Sequence, residues 1–328
     1  EMGDEIYRPK HFRLPESNVW PGGADFPPYV FTEDITIAAD VAFATGRPLL
    51  VSGPPGSGKS MLAPALAWLK RWRYLQYTFT SRSRLEDLTG DLDHLRRLND
   101  AQAATPGKSL PPRWTYLQPG VLWWTFDPAG AGTLGASESE RRAHAEHFEP
   151  PRHPGSGGTQ GNVVVLLDEI DKAEPDLPND LLEPLDRRRF QVPQGPGVKA
   201  GGRLKYLVLI TTNGERELPP AFLRRCVCLS LKDPDKDRLL AIAAQHFPKG
   251  NEGLHRGVAE RLLEHRRSAR SMDLRPPCTS EFLDAIRACV LLGIRPDPQD
   301  RVWQQIAKAT LAKESFADER EQQVDAAW

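Results

Sequence analysis

The chain has 328 residues, of which 27% are charged and 39% hydrophobic, and its formal net charge is −1 at pH 7. This length is enough for one large or two modest domains with an ample core. The near-zero charge excludes a global attraction to nucleic acid or to an anionic membrane. No apolar run approaches the roughly 20 residues of a membrane-spanning helix, and the opening EMGDEIYRPKHF has no apolar signal core, so we expect a cytoplasmic protein.

The cysteine pattern favours a protein of a reducing compartment, and it does not indicate a metal site. Cys226, Cys228, Cys278 and Cys289 form no C-x-x-C pair, and no histidine stands at zinc-ligand spacing beside them. We therefore expect buried free thiols.

The first part of the chain predicts an extended arm and then an α/β domain. Residues 1–31 are rich in proline, glycine and aromatic residues, and TEDITIAADVAFATGR after them predicts a helix capped by Thr32 and ended by Gly46. Continuous apolar runs, separated by helical patterns, are typical of a parallel sheet covered on both faces. We predict a doubly wound α/β domain over residues 32–231. Its strands are PLLVS, YLQYTFT, the apolar part of GNVVVLLDEIDKA, LKYLVLITTN and CVCLSL.

The composition changes in two further places. Residues 232–328 carry apolar faces at helical spacing and no convincing strand, which predicts a small all-helical domain. Within it, Arg266, Arg267 and Arg270 are expected to form a solvated face. Residues 127–161 are rich in glycine, proline and serine, so we expect a flexible insertion that buries little.

The stretch GPPGSGKS lies between a predicted strand and the helical pattern MLAPALAWLKRW. It fits G-x-x-x-x-G-K-[ST], the loop whose backbone N–H groups surround phosphates at a helix N-terminus. Lys59 is expected to place its ammonium on the β- and γ-phosphates as a point charge. The pattern indicates a nucleotide but not the reaction, since kinases, GTPases, helicases and remodelling motors share it. The predicted nucleotide-binding residues here are Gly53, Pro54, Pro55, Gly56, Ser57, Gly58, Lys59, Ser60 and Met61.

A second set of polar residues ends the third predicted strand. Asp168 is expected to hold Mg²⁺, directly or through water, together with the Ser60 hydroxyl. Glu169 can orient a water and take its proton, which starts hydrolysis. The alternative is an acidic helix-start cluster, including Asp171, that only suits a helix dipole. The Asp-Glu pair argues against a small-molecule kinase, and without an Asn-Lys-x-Asp pattern a GTPase is not indicated, so we expect ATP and Mg²⁺.

The order of these motifs resembles that of AAA+ ATPases and, within them, the MoxR branch, over nearly the whole chain outside the insertion. VVLLDEIDKAEPDLPNDLLEPLDRRRFQVP is similar to the family's Walker B segment and the helix after it, and YLQPGVLWW to the segment ahead of it. LVLITTNGERELPPAFLRRC resembles sensor 1 and the arginine-finger region, and LRPPCTSEFLDAI the start of the sensor 2 helix. The resemblance implies a five-stranded P-loop NTPase domain with strand order 5-1-4-3-2, followed by a helical lid.

The resemblance also implies catalytic roles. Asn213 stands at the sensor 1 position, where its amide would bond the attacking water and the γ-phosphate. Arg224 or Arg225 would reach the γ-phosphate of a neighbouring subunit, and alignment with related sequences favours Arg225. Arg275 matches sensor 2, where a lid cation contacts the phosphates.

Two further features are implied with less support from the residues themselves. Tyr29 and Val30 are candidates for the adenine pocket, with packing of the arm on the domain as an equal alternative. Residues 86–120 would hold the family's helix-2 insert hairpin, which lines the central pore of related rings.

In function, the resemblance implies a homo-oligomeric ring, expected to be a hexamer, that hydrolyses ATP at subunit interfaces to remodel or mature a protein partner. In related bacterial systems that partner is often a von Willebrand factor A domain protein. One alternative is a slow-hydrolysing, nucleotide-controlled scaffold of a bacterial defence or signalling module. Another is a nucleic-acid motor like McrB-type AAA+ GTPases, against which the neutral charge and the lack of a basic, aromatic-laced stripe argue. No membrane partner is expected.

Overall fold

The computed structural model describes residues 10–23, 26–104, 109–152, 161–202 and 204–312. These residues form two compact units, each with its own hydrophobic core. The sheet unit comprises Glu1–Trp20, Phe31–Gly53 and Lys59–Ser230, and the helical unit comprises Pro21–Val30, Pro54–Gly58 and Leu231–Trp328.

Short strands and helices alternate along the described residues. The strands are β1 Val19–Trp20, β2 Tyr29–Val30, β3 Leu49–Ser52, β4 Arg73–Thr78, β5 Gly90–Leu92, β6 Leu117–Pro119, β7 Val163–Asp168, β8 Arg189–Gln191, β9 Gly197–Lys199, β10 Tyr206–Thr212 and β11 Val227–Ser230. The helices are α1 Glu33–Thr45, α2 Lys59–Lys70, α3 Leu85–Thr89, α4 His94–Ala103, α5 Val121–Phe126, α6 Pro128–Gly132, α7 Glu138–Ala143, α8 Leu177–Asp180, α9 Leu182–Arg187, α10 Pro220–Leu223, α11 Lys236–His246, α12 Glu252–Ser271, α13 Thr279–Leu292 and α14 Arg301–Leu311.

The central sheet of the sheet unit has the order β11-β3-β10-β7-β4, and every pairing in it is parallel. In chain order these are the fifth, first, fourth, third and second strands, so the predicted order and the doubly wound α/β class are confirmed. β7 is buried at every position, which explains its unbroken apolar sequence. Because the strands are parallel, their carboxyl ends meet at one edge, where Thr212 aligns with Ser52 and Thr78 with Asp168.

Helix α1 carries the chain into the sheet. It ends as predicted at Gly46, whose φ of 65° is left-handed and suits glycine. Thr32 occupies the N-cap position, but its side chain makes no capping hydrogen bond, so the predicted cap is wrong in that respect. The buried Asp40 carboxylate of α1 accepts the backbone N–H groups of His11 and Phe12 from the arm, at 3.1 Å and 2.6 Å to Oδ1. This fixes the described start of the arm on α1, while residues 1–9 of the predicted arm lie outside the described residues.

The glycine-rich segment after α5 contains two short capped helices, which the sequence did not predict. Asp127 caps α6 by accepting the Gly130 N–H at 2.9 Å, and Ser137 opens α7 with a capping box. Leu134 is 2% exposed and belongs to the main core. The expectation that this segment buries little is therefore wrong for its first part, because short capped turns can present single apolar residues inward. Residues 153–160 of the segment lie outside the described residues.

The segment expected to contain the helix-2 insert has an antiparallel strand pair, β5 with β6, and the helix α4 lies between the two strands in the chain. None of the α4 residues is buried, and Leu95 and Leu98 are 69% and 55% exposed. The ends of the hairpin are thus given by the β5–β6 pair, and its role at a pore stays a prediction.

The helical unit packs α11, α12, α13 and α14 around one apolar core that includes Phe282 and Trp303. Arg266 on α12 is only 2% exposed and donates to the Pro234 and Pro277 carbonyls, both at 2.9 Å. The expected solvated face is therefore wrong at Arg266. A guanidinium can be buried there because carbonyls and the carboxylate of Asp233, 3.5 Å away, meet its donors.

The four cysteines are free thiols, as predicted. Cys226, Cys278 and Cys289 are buried, whereas Cys228 is exposed on β11, the outermost strand of the sheet. The expectation of burial is wrong for Cys228, because alternate side chains of a strand point to opposite faces.

Candidate nucleotide site

The loop between β3 and α2 has the backbone that its glycines allow. Gly53, Gly56 and Gly58 have φ angles of 155°, 72° and 88°, which other residues rarely adopt. Such conformations can turn successive N–H groups toward one side and make an anion-binding concavity. Pro54, Pro55 and Ser57 complete the turn, and Lys59, Ser60 and Met61 begin α2.

Lys59 follows this loop as the first residue of α2, and it is buried. Lys59 is 6% exposed, and its Nζ donates a hydrogen bond to the Gly53 carbonyl at 2.7 Å. Burial lowers the pKa of Lys59, and the charges of Asp168, Asp171 and Glu169 oppose that shift. The ammonium therefore belongs to a compact group of loop carbonyl and acidic side chains at the carboxyl edge of the sheet.

Asp168 ends β7 and gathers two hydroxyl groups on one oxygen. Its Oδ1 accepts the Ser60 hydroxyl at 2.8 Å and the Thr211 hydroxyl at 2.6 Å. A carboxylate and a serine hydroxyl side by side are the oxygen ligands that Mg²⁺ prefers, so the predicted pair fits that ion. Thr211 was missed by the sequence reasoning, and its only signal was a hydroxyl two residues before Asn213 on the neighbouring strand.

Glu169 follows Asp168 in a left-handed conformation with φ of 61°. Its backbone N–H donates to Thr211 Oγ1 at 2.8 Å, so a single threonine hydroxyl joins both acidic residues. Asn213 Nδ2 donates to Glu169 Oε1 at 3.3 Å, and Lys172 Nζ donates to Oε2 at 2.6 Å. The structure thus brings the predicted base and the predicted sensor amide into contact.

Asp171 does not belong to an acidic cluster at the start of a long helix, the alternative considered from the sequence; it binds backbone N–H groups instead. It is 4% exposed, and its Oδ2 accepts the backbone N–H groups of Asn213 at 3.0 Å and Glu215 at 3.1 Å. Residues Ile170–Lys172 make a single 3-10 turn, so no longer helix begins at this acidic cluster. Asp171 instead ties the turn after β7 to the loop that carries Asn213.

Residues 48–226 match a family model described as an AAA domain of the dynein-related subfamily. The chain belongs to the AAA domain family. The match spans more than half of the 328 residues and includes the phosphate loop, Asp168, Glu169 and Asn213. An AAA domain binds nucleotide and has a general ATPase function. A comparison with curated proteins finds no match.

Arg224 and Arg225 of the AAA domain follow α10. Their contacts are with residues other than Asp168 and Glu169. Arg224 Nε donates to the Pro220 carbonyl at 3.2 Å. Arg225 pairs with Asp186 and donates to the Ala221 carbonyl at 3.0 Å. Both arginines are exposed, and none of these contacts involves Lys59, Asp168 or Glu169. The structure therefore does not bring the pair into its own chain's site.

The remaining predicted residues of this AAA-domain chain lie in the helical unit. Arg275 has a 61% exposed side chain that approaches Glu281 Oε1 at 3.5 Å and Cys278 Sγ at 3.9 Å. A Cβ on Gly56 would lie 2.5 Å from that same sulfur, so Gly56 packs against Cys278 within the helical unit. This contact could not be predicted from the sequence, because it joins residues that are far apart in the chain.

Tyr29 and Val30 form β2 in the helical unit. Tyr29 is 7% exposed, and its ring lies against Gly58, where an added Cβ would be 3.3 Å from it. Burial raises the pKa of Tyr29 to about 12. Val30 is partly buried. Tyr29 thus borders the phosphate loop, and a contact of either residue with adenine stays a prediction.

Among the described residues, no cluster of three or more histidine, cysteine, aspartate or glutamate side chains could hold a metal ion. No helix in that part of the chain is long and apolar enough to cross a membrane.

Proposed function

We propose that this AAA domain belongs to a MoxR-like ATPase that assembles into a ring, expected to be a hexamer, and remodels or matures a protein partner. The observation that carries the proposal is the contact between Glu169 and Asn213 beside the Asp168–Ser60 pair. That arrangement suits hydrolysis rather than transfer to a second substrate, because it holds a carboxylate and an amide where a water would be activated.

Each residue of the site has a defined task in this proposal. Lys59 and the loop N–H groups bind phosphate oxygens. The water oxygen bonds to the γ-phosphorus, the bond from that phosphorus to the β–γ bridging oxygen breaks, and Glu169 takes the water proton. Asn213 orients the water, and the products are ADP and phosphate. Ser60 and Asp168 would hold Mg²⁺, which would neutralise charge on the phosphate oxygens.

Hydrolysis at subunit interfaces is supported by the position of the arginine pair. Arg224 and Arg225 are exposed, and their contacts lie away from the acids of their own site. A cation supplied by a neighbouring copy would stabilise transition-state charge there. Alignment with related sequences favours Arg225 as the arginine that reaches the neighbouring γ-phosphate. Arg225 would first have to break its ion pair with Asp186, whereas Arg224 would break only a hydrogen bond to a backbone carbonyl. We therefore retain both as candidates.

The partner is proposed to be a protein, and a von Willebrand factor A domain protein is the candidate that related systems suggest. The exposed leucines of α4, Leu95 and Leu98, support a contact with polypeptide at this helix. The slow scaffold remains the second candidate, since it uses the same residues. A McrB-like motor is disfavoured by the net charge of −1. The cytoplasmic location stays a prediction.

The proposed ring ATPase is tested by measuring the molecular mass of its assembly and its rate of ATP hydrolysis. The mass of the native chain is measured in solution with ATP and Mg²⁺, with ADP, and without nucleotide, and phosphate release is followed in the same samples. The proposal expects an ATP-dependent ring with turnover that depends on protein concentration. A monomer that hydrolyses ATP at a concentration-independent rate contradicts the ring mechanism. An ATP-dependent ring with negligible turnover, both alone and with captured partner, favours the scaffold.

A further inference from the structure

A cavity in the sheet unit lies at the end of the central sheet opposite Asp168 and Asn213. It has a volume of about 170 Å³ and is lined by residues before β3, at the start of β10 and at the ends of α1 and α9. β10 has 7 residues, and Tyr206, its first, lines the cavity. At about 3.3 Å per residue, the cavity is roughly 20 Å from the carboxyl edge of the sheet. A molecule bound there would not contact the acidic residues of the nucleotide site.

The wall of this cavity is largely apolar. The buried apolar residues that line it include Ala42, Leu185, Leu207 and Val208. An apolar cavity of about 150 Å³ in a protein interior can hold a benzene ring. The volume here therefore suits an apolar body of about one six-membered ring.

The rim of the cavity is cationic. Arg47, Arg188 and Lys205 line it and are exposed, and no carboxylate stands among its described lining residues. Within the described residues, none of these three cations forms an ion pair. Asp186, two residues before Arg188 in the chain, pairs with Arg225 instead. A cleft lined by one sign of charge over apolar walls attracts the opposite sign, so this rim favours an anion.

Arg188 brings its guanidinium to the cavity. The residue follows α9 with a left-handed φ of 52°, and its Nη2 donates to the Gly46 carbonyl at 3.4 Å. A Cβ on Gly46 would lie 1.7 Å from Nη2, so a glycine at this position leaves room for the guanidinium. The other N–H groups of Arg188 have no acceptor among the described residues. They are therefore available to a ligand.

Tyr206 adds a second donor. Its ring packs against Phe126, with 5.2 Å between the ring centroids. Its hydroxyl oxygen is enclosed and has no hydrogen-bond partner among the described residues. Burial raises the pKa of Tyr206 and the charge of Arg188 opposes that shift, so the guanidinium lies near the phenol. An enclosed hydroxyl costs free energy until a partner meets it, and a bound anion would supply an acceptor.

We propose that this cavity binds a small organic carboxylate whose apolar body is about the size of one ring. The carboxylate would accept hydrogen bonds from the Arg188 guanidinium and the Tyr206 hydroxyl, and the body would lie against the apolar wall. An arginine fork and a phenol suit a carboxylate, because its two oxygens accept several donors. The site goes beyond the proposed function, since none of its residues belongs to the nucleotide site.

The test compares three probes of nearly the same shape and different charge, namely benzoate, benzamide and benzamidine. Each is titrated into the full chain and followed by saturation-transfer difference NMR, which detects weak ligands. We expect benzoate to bind with a Kd of about 1 mM, as suits so small a ligand. Benzamide and benzamidine should bind at least about tenfold more weakly, because they lack the negative charge. Added salt should weaken benzoate binding, since the rim is exposed.

Two variants and a matched control locate the binding. Arg188→Asn removes the guanidinium at a left-handed position that asparagine tolerates, and should weaken benzoate binding about tenfold. Tyr206→Phe keeps the ring and should weaken binding about fivefold. Arg187→Asn removes a neighbouring exposed arginine that does not line the cavity, and should leave the Kd unchanged. Because Arg188 is exposed, its variant keeps the core and decides the outcome if Tyr206→Phe does not fold.

Four results would overturn the proposed site. They are no detectable benzoate binding at about 10 mM, equal affinity for the three probes, a Kd in Arg188→Asn within about twofold of the parent, or an equal loss in Arg187→Asn. ADP with Mg²⁺ should not displace benzoate, and displacement would assign the probe to the nucleotide site and exclude it from the cavity. Because ATP turnover is not read, failure of this site and failure of the proposed ATPase are separate outcomes.

Discussion

Replacing Thr211 with valine should lower the free energy of unfolding more than the same replacement of Thr125, a hydroxyl residue of matched burial. Thr211 is fully buried, and its Oγ1 donates to Asp168 at 2.6 Å and accepts the Glu169 N–H at 2.8 Å. Valine has almost the same shape, so no cavity forms and the loss is that of the two bonds. A hydrogen bond to a charged group contributes about 1.5–3 kcal/mol to the free energy of unfolding. A donor left without an acceptor, here the Glu169 N–H, costs about 1–3 kcal/mol. Since such terms overlap, we expect a loss of about 3 kcal/mol.

The matched control is Thr125→Val on α5. Thr125 is 1% exposed, and its hydroxyl donates at 2.7 Å to the Val121 carbonyl of its own helix. Removing this neutral bond strands no donor, so the expected loss is about 1 kcal/mol or less. Urea unfolding of both variants and the parent, monitored through tryptophan fluorescence and through far-UV circular dichroism, measures the difference. Equal losses in the two variants would refute the view that Thr211 joins the two acids. In the folded Thr211→Val protein, hydrolysis should fall by a larger factor than ATP affinity.

Three further predictions concern the site itself. Lys59→Ala should weaken ATP binding at least about tenfold, or about 1.4 kcal/mol, because it removes a point charge from the phosphates; calorimetry that finds unchanged affinity in the folded variant excludes the loop from the mechanism. Glu169→Gln should bind ATP with Mg²⁺ and accumulate as an ATP-bound oligomer with little turnover, and turnover within about twofold of the parent would show that Glu169 is not the base. The double Arg224→Ala, Arg225→Ala variant should bind ATP but hydrolyse it poorly, and mixing it with Lys59→Ala should restore measurable hydrolysis. Once subunit exchange is demonstrated, absence of that rescue contradicts an arginine acting between subunits.

The sequence predicted those parts of the molecule whose pattern is local. The five apolar runs follow from short contiguous segments, and the loop before Ser60 follows from glycine spacing, whereas the strand order was implied by the resemblance to AAA+ ATPases. Asp168 and Glu169 could be placed because the end of a parallel strand fixes the edge at which they lie. In each case the residues that decide the structure are neighbours in the chain.

The remainder depends on partners that are distant in sequence. Thr211 is one of two adjacent threonines, and only the register of β10 on β7 shows which hydroxyl reaches the acids. Arg266 was expected to be solvated because helical periodicity cannot reveal that carbonyls 11 and 32 residues away meet its donors. Leu134 lies in a segment whose composition suggested exposure, and composition does not register a single inward-facing residue between two short helices.

The exposed thiol of Cys228 makes this chain convenient for site-selective labelling. Cys226 is buried and burial raises its pKa to about 12, so it presents almost no thiolate to a maleimide. Burial also raises the pKa of Cys228, but that thiol is reachable by reagent, and its labelling should accelerate as the pH rises. A dye attached there would sit on the outermost strand, only a few residues after Arg225. Energy transfer between donor- and acceptor-labelled copies would then report directly, and without any substitution of the sequence, on whether that edge approaches another copy when nucleotide is added.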